Sequence, residues 1–120
     1  MSGINKIILV GYVGEDPTIR YVDPNVAVTS FILITAERTV KNGIKTEHTE
    51  CHHIVMLRAA AEHAFKVLAK GKLICVEGKL QTLFLEDSSG LKKVTKIVAL
   101  DFRLLDRNSD FEYMPDRKGV

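Results

Sequence analysis

The chain predicts an all-β domain: a small barrel of five strands, with one helix set between the third and the fourth. Three observations carry that expectation. A single stretch has helical period, with Ala61, Ala64, Phe65 and Leu68 at i, i+3, i+4 and i+7 making one apolar stripe. Directly after it the period changes to two. Ile74, Val76, Leu80 and Phe84 alternate with Glu77, Lys79 and Gln81, the pattern of a strand with one buried face. Finally, Gly11, Gly14 and Gly78 fall inside apolar runs rather than between them. A residue without a side chain in such a place marks a bulge or a sharp bend, and bent strands around one helix close into a barrel.

The elements follow in order. At 120 residues the chain is long enough for one domain. Ile4–Val13 reads as a first strand buried throughout, through Ile4, Ile7, Ile8, Leu9, Val10 and Val13. Asp16-Pro17 interrupts it, Ile19-Arg20-Tyr21 resumes as an extended piece, and Asp23-Pro24-Asn25 turns the chain. Val26–Arg38 is the second strand, with Phe31, Ile32, Leu33 and Ile34 predicting burial on both faces. Lys41-Asn42-Gly43 is a hairpin turn, because Asn-Gly tolerates the two positive φ angles of type I′. Thr46–Leu57 is the third strand. The helix begins near Ala59, carries Glu62 and Lys66 four apart on its wet side, and is predicted to end at the left-handed cap of Gly71. The fourth strand runs to Glu86. The polar turn 86–90 then leads into a fifth strand, Leu91–Leu105, with Val94, Val98, Leu100, Phe102 and Leu104 on one face. Five strands with the helix after the third is the order of the OB-fold. That domain takes residues 1–106. Residues 107–120 mix charges without any period and read as a short mobile tail.

Composition narrows the function. Net charge is +2, so any affinity for polyanions must come from local clusters. Arg38, Lys41 and Lys45 form one cluster, Lys66, Lys70 and Lys72 a second, and Lys92, Lys93 and Lys96 a third, each beside a loop. Solvated loop tips are the plain alternative for each. Cys51 and Cys75 belong to no C-x-x-C pair, which excludes a zinc ribbon or a thioredoxin motif and fits a reducing cytoplasm. The N-terminus has no signal-peptide pattern, and no apolar run approaches the ~20 residues of a membrane span.

Residues 47–53 hold three histidines, Cys51 and two acids, which invites a metal site. Strand geometry divides them, with His48, Glu50 and His52 on one face and Cys51 and His53 on the other. No fourth ligand is near, so neither a metal nor any other cofactor is expected. Nucleophile-elbow, zinc-protease and phosphate-loop motifs are all absent, and no enzymatic activity is expected. Binding is the better use of these strands. Cys51, His53, Val55 and Leu57 share one face, and Lys79, Gln81, Leu83 and Leu85 share another. A groove lined this way and rimmed by lysines suits single-stranded nucleic acid, with cations on phosphates and flat groups on bases. Few rings are available: Phe31, Phe65 and Phe102 read as core, leaving Tyr12, Tyr21 and Phe84. Strict alternation places Phe84 on the core face unless the strand is irregular there.

The chain resembles the bacterial single-stranded DNA-binding protein family. Ile4-Asn5-Lys6-Ile7-Ile8-Leu9-Val10-Gly11, Gly14-x-Asp16-Pro17 and Arg20-Tyr21 are similar to that family's N-terminal signature. Thr49-Glu50-Cys51-His52 stands where the family usually has Thr-Glu-Trp-His, and Lys70-Gly71 followed by Val76–Thr82 is similar again. The match runs in order over residues 4–105. The resemblance implies an OB-fold, a homo-oligomer (a tetramer before a dimer), and non-sequence-specific coating of single-stranded DNA in replication, recombination and repair. Residue matching implies DNA contacts at Lys6, Arg20, Lys41, Lys70 and His53, and a subunit contact at His52. The clusters and groove add Arg38, Lys45, Lys72, Lys79, Phe84, Leu85, Lys92 and Lys93 as candidates. Ile4, Lys6 and Ile8 join the candidate subunit interface, since so apolar an edge strand needs a partner.

The departures define a second hypothesis. Thr39, Cys51, Leu57 and Leu85 occupy the positions of the family's stacking aromatics. The acidic tail tip that recruits replication and repair partners has no counterpart in 110–120. The alternative is therefore an OB-fold oligomeric interaction module with weak or lost DNA binding.

Overall fold

The structure, a computed structural model, describes residues 2–105. The predicted tail, 107–120, lies outside them. The elements are β1 (Ile7–Val13), β2 (Thr18–Val22), β3 (Val26–Lys41), β4 (Ile44–Leu57), α1 (Arg58–Val67), β5 (Leu73–Asp87) and β6 (Gly90–Leu104). The sheet order is β1-β5-β6-β4-β3-β2, and a further β1–β3 pairing closes the barrel. β1 and β2 are the two legs of the expected first strand, broken at Asp16-Pro17. Counting them separately puts the helix between the fourth and fifth strands, at the place in the chain predicted for it.

A continuous core fills the barrel. Leu33, Ile54, Met56, Ile74 and Val76 are fully buried at 0% exposure, and α1 adds Ala61, Ala64 and the following Leu68. Buried Thr29 ties sheet to helix, its Oγ1 donating to the Ala61 carbonyl at 2.7 Å. Phe65, placed in the apolar stripe, is instead 45% exposed. The helix stops at Val67, before Gly71, because Leu68 turns to extended backbone and drops its side chain into the core. Gly71 keeps its positive φ of 96° in the turn beyond, and its N–H donates to the Val13 carbonyl at 2.7 Å.

The largest correction concerns length. β3–β4 and β5–β6 are long hairpins that continue past the barrel as two arms. The first closes at Lys41↔Ile44 with Asn42 and Gly43 at φ of 53° and 76°, the predicted turn. The second closes at Asp87↔Gly90, where the Ser89 hydroxyl and N–H hold the Asp87 carboxyl below its ordinary range. Strand alternation persists along these arms, but no core lies beneath them. Leu80 and Phe84, expected on a buried face, are therefore 47% and 64% exposed. β1 is likewise buried on one side only, with Ile8, Val10 and Tyr12 about half exposed on the other. On β6, Leu100 is the extra residue of a bulge between the pairs Glu77↔Asp101 and Gly78↔Ala99. Alternation from buried Ile97 and Ala99 already turns Leu100 outward, at 65% exposed, and the bulge then brings Phe102 to the core side, so Leu100 and Phe102 do not share the face expected of them.

Arg58 opens α1 at a φ of 61°, and the N-cap Leu57 offers no side-chain hydrogen bond. A left-handed non-glycine residue costs ~1–2 kcal/mol, part of which glycine returns to the more flexible unfolded chain. Arg58→Gly is expected to raise the melting temperature by about 2–5 °C in a thermal denaturation scan. An unchanged or lower value would contradict the strain.

Candidate nucleic-acid interface

Two open clefts meet on the barrel surface where β4 lies beside β6. The parallel pairs Ile54↔Ile97 and Val55↔Val98 set these strands together. One cleft has walls from Glu15, Asp16, Thr18, Ser30, Ile32 and His53. The other is lined by Arg20, Val28, Leu57, Gln81, Leu83 and Val98. Val55 and Lys96 line both, so the two are halves of one groove. The alternation of β4 produces this surface: Ile54 and Met56 turn into the core, leaving His53, Val55 and Leu57 outward. The groove is thus aliphatic along its floor, with Arg20 and Lys96 as its cations and Glu15 and Asp16 as acids on the wall of its first half.

The structure brings together several predicted residues and separates others. Arg20, Leu57, Gln81 and Leu83 line one half of the groove and His53 the other. The Lys70 N–H donates to Asp16 Oδ1 at 2.9 Å, which sets Lys70 beside a wall of the groove. Lys72 follows in the same turn, its carbonyl accepting from the Val13 N–H at 2.9 Å. Lys79 faces Val98 across the β5–β6 ladder. Arg38 and Lys45 border a third cleft on the β3–β4 arm with Thr39 and Val40, and Lys41 stands at its tip. Lys92 and Lys93 pair with Leu85 and Phe84 on the other arm. Leu85 shares the face of Leu83, whereas Phe84 lies on the opposite face with Leu80. Arg38 Nε is 3.5 Å from Glu47 Oε2, a fully wet pair that leaves the arginine available to an anion.

Lys6 stands apart. Its Nζ is 3.0 Å from Glu77 Oε2, beside β1. Asn5 extends the strand by its side chain, donating to the Leu80 carbonyl at 2.8 Å and accepting from the Leu80 N–H at 3.0 Å. Ile4 is 95% exposed. His52 lies on the core-facing side of β4, with Nε2 2.9 Å from Thr35 Oγ1. Neither tyrosine candidate lines the groove. Tyr12 is on the outer face of β1, and Tyr21 donates to Glu62 Oε2 at 3.2 Å beside Phe65, a bond that raises its hydroxyl above the ordinary range. Among the described residues no group of three or more histidines, cysteines or acids stands at metal-binding spacing. His48 Nε2 instead meets Glu50 Oε1 at 3.0 Å. No described helix is long and apolar enough to cross a membrane.

Lys96 is the residue that sequence reasoning left inside a cluster without a role. Its neighbours in number, Lys92 and Lys93, are on the arm, and only the β5–β6 register places Lys96 opposite Gln81 at the groove.

A closed barrel of this strand order, with an open surface groove and two projecting arms, defines the OB-fold class. The model of the single-strand binding protein family matches residues 4–105, and the chain belongs to that family. Single-stranded DNA-binding proteins of Neisseria meningitidis serogroups A and B are each 36% identical over 119 residues, covering 97% of this chain and 68% of theirs. A Plasmodium falciparum SSB in complex with single-stranded DNA superposes with a TM-score of 0.80 at 29% identity, covering 88% of this chain and 98% of that one. The Thermus aquaticus single-stranded DNA-binding protein gives a TM-score of 0.78 at 27% identity over 91% of this chain, which spans only 53% of the Thermus chain.

Proposed function

We propose that this protein binds single-stranded DNA without sequence preference, in replication, recombination or repair, and does so as a homo-oligomer without catalysis. The observation that carries the reading is the groove itself. Arg20, His53 and Lys96 border an aliphatic floor at the position an OB barrel uses for oligonucleotides. Two arms carrying Arg38, Lys41, Lys45, Lys92 and Lys93 extend the cationic surface well beyond the barrel. Family membership and the DNA-bound Plasmodium relative support the same ligand. Fluorescence polarisation with labelled oligo-dT at low salt tests it. Saturable binding that a duplex of equal length does not compete is the expected result. No binding to oligo-dT at micromolar protein would favour the interaction module, to which Thr39, Cys51, Leu57 and Leu85 at the stacking positions already lend support.

The outer face of β1 is the surface that best supports self-association. Ile8, Val10 and Tyr12 form an outward apolar strip 52–59% exposed, and Ile4 lies beyond its start. Such a strip on a strand invites a partner. The expected species in light scattering is a dimer at least, and a tetramer by preference. Val10→Glu should shift it toward monomer while the melting curve of the monomer stays cooperative. A monomeric wild type at micromolar concentration would overturn this assignment.

A further inference from the structure

We infer that Lys96 is the central phosphate-binding residue of the groove, seating one phosphodiester of the bound strand where the two clefts meet. The inference rests on the DNA-binding reading above and assigns that site its anchor.

Burial singles Lys96 out. Every other described lysine is exposed, whereas Lys96 is only partly so. It stands next to Ile97, which is 5% exposed and packed in the core, so its backbone is held by the barrel and not by a swinging loop. The Ile54↔Ile97 pairing fixes β6 against β4 at this point. Among the described residues no carboxylate lies within ion-pairing distance of Lys96. Glu15 and Asp16 line the same cleft, yet Asp16 is engaged by the Lys70 N–H, and neither pairs with Lys96.

A cation with no ion-pair partner among the described residues, shared by both halves of an open groove, is a receptor for an anion. The groove runs past it in both directions, toward His53 on one side and toward Arg20 and Leu83 on the other. A single phosphodiester in a continuing chain fits that geometry, because its flanking nucleosides enter the two aliphatic halves. The lower effective dielectric at a partly buried site strengthens each charge contact relative to one on the wet arms. Lys96 therefore contributes more per contact than an exposed lysine.

The test is titration of oligo-dT into wild type, Lys96→Ala, Lys96→Gln and Arg103→Ala at several salt concentrations, with a melting curve for each. Arg103 is an exposed arginine near the end of β6, outside the groove and the three basic clusters. Both Lys96 variants are expected to weaken binding about tenfold and to reduce the log–log salt slope by ~0.7, the value of one single-strand phosphate contact. Arg103→Ala should stay within about twofold of wild type, a surface charge outside the contact set. The melting temperature of the Lys96→Gln variant should hold, which separates a lost DNA contact from a loss of folding; a merely structural lysine would lower it. Wild type that binds oligo-dT while Lys96→Ala and Lys96→Gln bind equally well, with unchanged slope, overturns the anchor and leaves the groove reading standing. Wild type that fails to bind oligo-dT at low salt overturns both.

Discussion

Gly78→Ala is expected to destabilise the barrel severely. Gly78 sits at the β5–β6 register shift, and a methyl group there would overlap the Val98 carbonyl oxygen and lie 2.8 Å from Ala99 Cα. These are backbone atoms of the paired strand, so no rotamer change relieves the clash. The ladder must part at the bulge where β5 bends into its arm. Ordinary overpacking costs ~1–3 kcal/mol; with backbone as the obstacle we expect ~4 kcal/mol or more, a large share of the 5–15 kcal/mol typical of a domain. The melting temperature should fall by about 15 °C or further. Gly14→Ala is the matched comparison. Its methyl meets the end of the Ile34 side chain at 2.9 Å, which can turn away, so a fall of only a few degrees is expected, about 1 kcal/mol. Circular dichroism melts decide it, and a Gly78→Ala protein within about 3 °C of wild type would refute the backbone-contact account.

Binding to single-stranded DNA is expected to collapse with salt more steeply than its low-salt affinity would suggest. Stacked rings would contribute ~1–3 kcal/mol per base and are insensitive to salt. The groove floor here is Val28, Val55, Leu57, Leu83 and Val98, and Thr39 on the arm spends its hydroxyl on Thr46 at 2.6 Å. Phosphate neutralisation must then supply most of the free energy. Each single-strand phosphate contact adds ~−0.7 to the log–log slope. About six contacts per chain would give a slope near −4 and a loss of roughly 300-fold between 50 and 200 mM salt. Lys41→Ala with Lys70→Ala should lower the slope by ~1.4. Leu85→Trp should act in the opposite sense. Leu85 is 51% exposed on the face of the arm that carries Leu83, so an indole there gains a base to stack on and tightens binding about tenfold without changing the slope. Affinity that resists salt and ignores the lysine substitutions would place the contact elsewhere.

Much of the molecule was legible before any coordinates. The Asn42-Gly43 turn, the bulge at Gly78, the helix after the third long strand and the outward set His53, Val55 and Leu57 all follow from local rules. Side-chain alternation and positive φ are properties of a few consecutive residues. The OB order follows from counting such elements, and the resemblance over residues 4–105 agrees with the family match.

Depth was not legible in the same way. Leu80 and Phe84 carry the same alternating pattern as Ile74 and Val76, yet the first two are exposed and the last two are at 0%. A period of two says which residues share a face, not whether anything packs on it. That depends on where the other strands end, and β3–β4 and β5–β6 simply outrun the barrel. Phe65 failed for the same reason, on a helix whose core-facing side is filled by Ala61, Ala64 and Leu68. Lys96 shows the converse. In the chain it is one of three neighbouring lysines; in the fold, the pairing of β6 with both β5 and β4 moves it from an exposed cluster to the centre of the groove. Sequence alone determined the order of the elements, their turns and, where no bulge intervenes, the residues that share a face, because those are decided by backbone sterics within a few residues. Tertiary structure alone decided which faces are buried and which cations share a site, because burial and proximity are set by strands far apart in the chain.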